Sequence, residues 1–194
     1  PYLLVLKSPN EERYASASLS SGVRDKVNLA FFEARGIGGA GWAPSLQWHV
    51  RRAAAWTGRT IASMRVYDVL RCLEALRNLP EVDGDNISIL AQGEMVAIAS
   101  YAALLDGNIK SIIIKNPPAT QDVASQPNGR GAAIEMLNCL RVTDLPQVPG
   151  LMYPNRVVSL GELPSSYGWT EKLYKELKHP NAFINIEKLS DWNP

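Results

Sequence analysis

Residues 87–97, Ile-Ser-Ile-Leu-Ala-Gln-Gly-Glu-Met-Val-Ala, contain the feature on which the interpretation of this chain depends. The first four residues form an apolar run that is long enough for a buried strand. From Glu94 onward the residues are small and apolar, which favours a helix that continues to position 105. Gly93 therefore stands where a strand turns directly into a helix, a basic unit of an α/β protein.

Strand-like and helical patterns alternate along the rest of the chain. We predict strands at residues 2–6, 27–33, 87–90, 110–115, 156–160 and 182–189, and helices at 14–19, 46–56, 64–79, 94–105, 132–140 and 170–177. Residues 116–129 are polar and predict a long surface loop. In the helix at 64–79, Val66 and Val69 fall on the apolar face and Arg65 falls outside it. This alternation predicts a mostly parallel sheet with helices on both faces.

Composition excludes several classes of function. The 194 residues are 46% hydrophobic and 20% charged, with a formal net charge of +1, so one domain over residues 1–194 is expected. Without a basic stripe, nucleic acid is not an expected partner. No apolar run reaches the ~18–20 residues that span a bilayer, so no membrane is expected. Cys72 and Cys139 match no metal or redox spacing, and no metal or cofactor is expected.

The first residues suggest a piece of a larger protein. The sequence begins at Pro1 and enters an apolar strand at once. We therefore expect residues 1–194 to be a fragment of a longer polypeptide whose other domains are partners. The sequence leaves the compartment undetermined, with secretion or a periplasmic location expected if the protein acts on carbohydrate.

Several segments, in this order, resemble one family. They are FFEARGIG at 31–38, GRTI at 58–61 with RVYDVLR at 65–71, LPEVD at 79–83 with ISI at 87–89, AALLD at 102–106 with IKSI at 109–112, and TDLP at 143–146 with YPNRVV at 153–158. The set resembles the α/β-hydrolases, and more narrowly their acetyl xylan esterase or dienelactone-hydrolase-like branch. The resemblance implies a three-layer α/β sandwich from which the family's N-terminal strands are missing.

The resemblance also implies a damaged catalytic site. The family carries its nucleophile in a G-x-S-x-G turn, and the corresponding residues 91–95 read Ala-Gln-Gly-Glu-Met, with Gly93 in the serine position. Glu162 is the candidate for the family acid. Residues 190–194, where the family histidine belongs, contain none; His49 and His179 lie earlier and favour ordinary structural roles. The resemblance thus implies a domain that has lost serine-based ester hydrolysis and has a structural or ligand-binding role. The alternative is an active carboxylic-ester hydrolase that uses non-standard or missing groups.

The roles of the residues at and near this turn stay open. Glu94 is either a stand-in catalytic carboxylate or a residue that caps the helix N-terminus, and the second is favoured. Its backbone N–H offers a binding point for an anion or a carbonyl group. The ligand expected at such a site is a carbohydrate or an acylated molecule. Ser8 and Ser88 have no activating base nearby in the sequence and are not assigned as nucleophiles.

Two other motifs need an interpretation. Gly36, Gly38 and Gly41 match the G-x-G-x-x-G pattern of dinucleotide sites, but no acidic residue follows about 20 positions on, so a structural turn is favoured. Glu33, beside this turn, is expected to pair with Arg35 or Arg59. The tryptophans at 42, 48 and 56 are either packing residues or sugar platforms, and those at 169 and 192 are expected near the rim of the pocket.

Overall fold

The computed structural model describes residues 1–9, 11, 15–123, 126 and 131–194. Within these residues one six-stranded sheet contains β1 (Tyr2–Leu6), β2 (Asn28–Phe32), β3 (Ile87–Gln92), β4 (Ser111–Lys115), β5 (Arg156–Leu160) and β6 (Phe183–Ile186). The strand order is β2-β1-β3-β4-β5-β6, and every neighbouring pair is parallel. The predicted sheet is therefore confirmed.

Helices lie on both faces of this sheet. The helices are α1 (Ala15–Leu19), α2 (Pro44–Trp56), α3 (Ile61–Arg77), α4 (Met95–Asp106), α5 (Val148–Leu151) and α6 (Gly168–Glu176). Side chains of α3, α4 and α6 fill one apolar cluster against the sheet. The opposite face is covered by a second cluster to which the end of α1, Val23, Leu189 and Trp192 contribute. Two apolar layers with the sheet between them give the three-layer arrangement expected from the sequence.

Local hydrogen bonds explain where the two central helices begin and end. α3 starts three residues earlier than predicted because Thr60 and Ser63 form a capping box, in which the Ser63 N–H donates to Thr60 Oγ1 at 3.0 Å. The Thr60 N–H donates in return to Ser63 Oγ at 2.9 Å. α4 ends at Asp106, and the next residue, Gly107, has a left-handed φ of +73° that allows its N–H to donate to the Ala103 carbonyl oxygen.

The helix predicted at residues 132–140 is wrong. Residues 132–138 are irregular, and only Cys139–Arg141 form a single 3₁₀ turn. Side chains from elsewhere occupy the carbonyl groups that a helix would use: Arg51 donates to the Ala132 oxygen at 3.0 Å, and Gln121 donates to the Ile134 oxygen at 2.6 Å. Tertiary hydrogen bonds therefore override the local helical pattern. Of the predicted loop at 116–129, residues 124, 125 and 127–129 lie outside the described part, as does Tyr14 of the first predicted helix.

Candidate functional site

The carboxyl ends of β1 and β3 lie side by side at the point where the chain connections diverge. From β1 the chain passes to β2 at one edge of the sheet, whereas from β3 it passes toward β6 at the other. Ligands of open parallel sheets bind in the crevice at such a point. Ser8 follows β1, and its Oγ donates a hydrogen bond to the carbonyl oxygen of Gln92 at 3.0 Å. The candidate site is therefore the edge formed by Ser8, Gln92 and the residues that follow Gln92.

Gly93 lies at the bend between β3 and α4. Its N–H donates to the Lys115 carbonyl oxygen at 2.9 Å, and its own carbonyl oxygen accepts from the Val96 N–H at 3.0 Å. Its φ of +57° is in the left-handed region, which glycine adopts without the steric cost of a Cβ. A methyl group added to Gly93 would meet no described atom within 4 Å. The backbone conformation accounts for the glycine, and the described part of the chain leaves the space beside it open.

Left-handed residues follow three neighbouring strands at this edge. The last residues of β3, β4 and β5 are paired in register, and each is followed by a residue with positive φ: Gly93 at +57°, Asn116 at +47° and Gly161 at +79°. Gly161, like Gly93, has no described atom within 4 Å of an added methyl group. Two of these three strands are therefore followed, at the carboxyl edge, by a glycine beside which no described atom is packed.

A buried arginine holds the residue after Gly93. Arg65 of α3 donates from Nη1 to Glu94 Oε1 at 2.8 Å, and from Nε to the carbonyl oxygen of Arg35 at 3.2 Å. The Arg65 side chain has no exposed surface, and that of Glu94 is 21% exposed. Burial lowers the pKa of Arg65, and the negative charge of Glu94 opposes this effect. Arg65 thereby connects the turn after β3 with the turn after β2.

Glu94 is the N-cap residue of α4, and the ion pair gives its carboxylate a partner that was not expected from the sequence. Its side chain accepts no hydrogen bond from the first turn of α4, because the carboxylate is directed to Arg65. Arg65 is also buried, although the sequence pattern predicts it outside the apolar face of its helix. Arg65 is four residues before the buried Val69 and therefore lies on the same side of α3. That spacing was the signal in the sequence for its burial.

The structure places the candidate acid and the two histidines in different regions. Glu162 is exposed and directly follows Gly161 at the carboxyl end of β5. His179 precedes β6 and packs edge-on against Tyr153, with ring centroids 5.5 Å apart, so it lies at the amino ends of the strands. His49 is exposed on α2, opposite the buried residues of that helix. Among the described residues, no hydrogen bond or ring contact joins either histidine to Gly93.

The glycine-rich turn after β2 is filled by its own side chains. Gly36 and Gly38 have φ values of +72° and +59°. A methyl group at Gly36 would overlap the Trp42 ring, and one at Gly38 would overlap the carboxylate of Glu33. The backbone of this turn is thus covered by an indole ring and a carboxylate, as expected for a structural turn.

Glu33 has a different partner from the one predicted. It accepts hydrogen bonds from Lys7 Nζ at 2.6 Å and from the Gly39 N–H at 2.9 Å. The hydrogen bond from Lys7 lowers the pKa of Glu33, as does the one from Gly39. The predicted pairing with Arg35 or Arg59 is wrong because Lys7 directly follows the neighbouring strand β1, while Arg35 Nε donates to Asp68 Oδ2 at 2.7 Å.

The tryptophans have unequal exposure. Trp192 is fully buried in the second apolar cluster, on the face of the sheet opposite to α3 and α4. Its predicted place near a pocket rim is therefore wrong. Trp169 on α6 is 47% exposed, and Trp56 at the end of α2 is 90% exposed. Trp42 packs over Gly36. Exposed indole rings are therefore found on α2 and α6.

No group of three or more His, Cys, Asp or Glu side chains that could hold a metal ion occurs in the part of the chain that the structure describes. Cys72 and Cys139 are free, half-buried thiols, and burial raises the pKa of Cys72 to about 11. Within the same described residues, every helix is too short or too polar to cross a membrane.

Solved structures share this fold, although the sequence matches no protein-family model and no curated protein. A protein assigned as an acetyl xylan esterase from Bacteroides fragilis superposes with a TM-score of 0.74 at 13% identity, over 100% of this chain and 60% of that one. A methylesterase gives 0.66 at 12% identity, over 100% and 45% of the two chains. A glucuronoyl esterase from Caldicellulosiruptor kristjansonii gives 0.57 at 13% identity, over 97% and 63%.

The parallel sheet and these likenesses define an α/β-hydrolase-like fold, which confirms the expectation from the sequence. Within that class, the structural neighbours named above are esterases. At such low identity the likeness concerns the fold alone. This chain spans about three fifths of the length of the Bacteroides protein.

Proposed function

We propose that this chain is an α/β-hydrolase-like domain that has lost serine-based ester hydrolysis and has a structural or ligand-binding role. The observation that carries the proposal is Gly93 at the bend between β3 and α4, where its left-handed φ suits the turn and no side chain is present. In a serine hydrolase the attacking hydroxyl occupies such a turn. Without it, only the residual catalysis from binding and from backbone donors is left.

The positions of the histidines support the same proposal. A serine nucleophile needs a histidine to accept its proton. His179 lies at the amino ends of the strands, and His49 lies on the outward side of α2. A hydroxyl introduced at position 93 would therefore still lack a base from the described residues. Glu94 is already engaged by Arg65 and is a poor substitute for that base.

The features that such a domain retains suit binding rather than reaction. At the start of α4 the Val96 and Ala97 N–H groups donate to the carbonyl oxygens of Gly93 and Glu94. This leaves the N–H groups of Glu94 and Met95 as the candidate donors to a ligand, and the space beside Gly93 is open among the described residues. A carbonyl oxygen of an acylated ligand could be held there without being attacked. The carboxylate of Glu94 lies near the same turn, which disfavours an anion and favours a neutral acyl or carbohydrate group.

A second candidate function is an active carboxylic-ester hydrolase, and one observation favours it. Ser8 is a hydroxyl-bearing residue beside Gln92, immediately before the bend. Its hydroxyl donates to a backbone carbonyl, however, and a carbonyl oxygen is not a general base. The carboxylate of Glu11 accepts a hydrogen bond from the Ser8 backbone N–H at 2.9 Å, so activity through Ser8 would require its hydroxyl to turn from the Gln92 carbonyl oxygen toward that carboxylate.

The test is hydrolysis of 4-nitrophenyl acetate by this chain, by Gly93→Ser and by Ser8→Ala. We expect no turnover above buffer for the unmodified chain or for Gly93→Ser, since neither described histidine lies where it could activate the new hydroxyl. Binding of an acetylated xylo-oligosaccharide by the unmodified chain, measured by calorimetry, would support the ligand-binding role. Clear turnover by the unmodified chain would refute the proposal, and its loss in Ser8→Ala would establish the second candidate instead.

A further inference from the structure

Helix α2 buries little of its surface. Only Arg51 and Ala54 are buried among its 13 residues. The side of the helix opposite these two carries His49, Arg52 and Trp56, all of which are exposed. Trp56 is 90% exposed. A single exposed apolar side chain needs no explanation. Trp56, however, lies in line with a second tryptophan and an arginine on the same helix.

Trp48, Arg52 and Trp56 form one row along α2, which we name the α2 ridge. Their spacing of four residues places them one above the other, about 6 Å apart along the helix axis. The guanidinium carbon of Arg52 lies 5.9 Å from the centroid of the Trp48 ring, within the range of a cation–π contact. The ridge thus contains a cation that lies against a half-buried indole ring, with a second, exposed indole ring one helical turn further on.

The charge of this ridge is not balanced by a neighbouring carboxylate. Residues 44–60 contain three arginines and no aspartate or glutamate. Arg51 is paired with Glu135, whose Oε1 lies 2.6 Å from Nε, but Arg52 has no ion pair among the described residues. Helix α3 offers the contrast: Arg71 lies 5.4 Å from the Tyr67 ring, yet Glu74 neutralises it.

We propose that the α2 ridge binds an acidic carbohydrate polymer, with sugar rings stacked on the indoles of Trp48 and Trp56 and a sugar carboxylate on Arg52. The apolar face of a sugar ring packs on an aromatic ring, and a guanidinium binds a carboxylate in a bidentate manner. Arg52 and Trp56 face away from the buried side of α2, and the half-buried Trp48 lies at the edge of this exposed face. The proposal does not depend on the loss of hydrolysis at Gly93.

Other ligands fit the α2 ridge less well. A neutral sugar would leave the charge of Arg52 unused. A nucleic acid would need a broad basic surface, whereas the whole chain has a formal net charge of +1. A protein segment that docks through apolar side chains would bury Arg52, which lies between the two tryptophans in the row, without a carboxylate to pair with it. An acidic polymer of sugar rings, each with an apolar C–H face, uses both the aromatic rings and the cation.

The test is titration of the full chain with polygalacturonate oligomers and with the same oligomers as their methyl esters, followed by calorimetry. We expect binding of the acid form that weakens as salt rises, and binding of the ester at least about tenfold weaker. Trp56→Ala and Arg52→Gln should each weaken binding of the acid form about tenfold. Tyr67→Ala, which removes the matched aromatic ring on α3, should leave the affinity unchanged.

Each contrary outcome overturns the proposal. These outcomes are no binding of polygalacturonate, equal binding of the ester, or an equal loss of affinity in Tyr67→Ala. Tighter binding of polyglutamate or of a single-stranded oligonucleotide would assign the ridge to an acidic peptide or to nucleic acid. Thermal unfolding checks that the variants are folded; Trp56 is 90% exposed, so Trp56→Ala alone decides the test if Arg52→Gln does not fold.

Discussion

The turns after β2 and β3 both depend on left-handed glycines, but for different physical reasons. At Gly36, φ is +72° and an added methyl group would overlap the Trp42 ring, so both the backbone and the packing require glycine. At Gly93, φ is +57° and no described atom lies within 4 Å of the same methyl group, so only the backbone favours glycine. We call the turn after β2 closed, because the Trp42 ring packs on its glycine. We call the turn after β3 open, because no described atom packs on Gly93.

Charged residues hold the two turns together. Arg65 binds the Arg35 carbonyl oxygen of the first turn and the Glu94 carboxylate of the second. Arg35 is in turn fixed by Asp68, which accepts from its backbone N–H at 3.1 Å and from its guanidinium. The turn after β3 is therefore supported by the ion pair between Arg65 of α3 and Glu94. No described side chain packs on Gly93. This contrast leads to three predictions about stability.

The largest effect is expected for Gly36→Ala. We expect a loss of about 4 kcal/mol in the free energy of unfolding, because the left-handed backbone and the overlap with Trp42 act together. Trp42 cannot swing away freely, since its Nε1 donates to Gln47 Oε1 at 3.2 Å. Urea unfolding of the full chain measures the loss.

A double-mutant cycle separates the two causes at Gly36. In a Trp42→Ala background the overlap is absent, so the cost of Gly36→Ala should fall to that of the backbone alone, about 1 kcal/mol. If Gly36→Ala costs the same in both backgrounds, the turn after β2 is not closed by packing and the contrast between the two turns fails.

The second effect is expected for Glu94→Ala. It leaves Arg65 buried without its nearest carboxylate, and we expect a loss of about 3 kcal/mol in the free energy of unfolding. The matched control is the double variant Arg65→Met with Glu94→Ala, which removes the uncompensated charge and should recover part of this loss. A single variant as stable as the unmodified chain would mean that the ion pair does not support the turn.

The strands of this fold were predictable because each is a short apolar run bounded by polar or glycine residues, as in residues 110–115. The helix predicted at 132–140 failed because Arg51 and Gln121, distant in sequence, bind its backbone carbonyl groups. No local pattern contains that information. Within the candidate site, the glycine at the bend was visible from the pattern of strand, glycine and helix around residue 93.

The partners of the charged side chains were less predictable. Glu33 binds Lys7 because β1 and β2 are neighbours in the sheet, a fact that spacing along the chain does not reveal. Arg65 is a different case, since its distance of four residues from Val69 already placed it on the buried side of α3. Arginine is rarely fully buried, and the burial of Arg65 follows from its spacing and from its partner Glu94.

The smallest effect is expected for Gly93→Ala, and it tests directly whether the turn after β3 is open. The added methyl group has no described neighbour to displace. The variant should therefore lose only about 1 kcal/mol in the free energy of unfolding, which is the cost of a Cβ in the left-handed conformation. Gly107→Ala is the matched control, because Gly107 ends the same helix with φ of +73° and also has no described atom within 4 Å. The two variants should therefore agree within about 0.5 kcal/mol. A much larger loss for Gly93→Ala would mean that the space beside Gly93 is filled, and a side chain at this bend would then be excluded by packing as it is at Gly36.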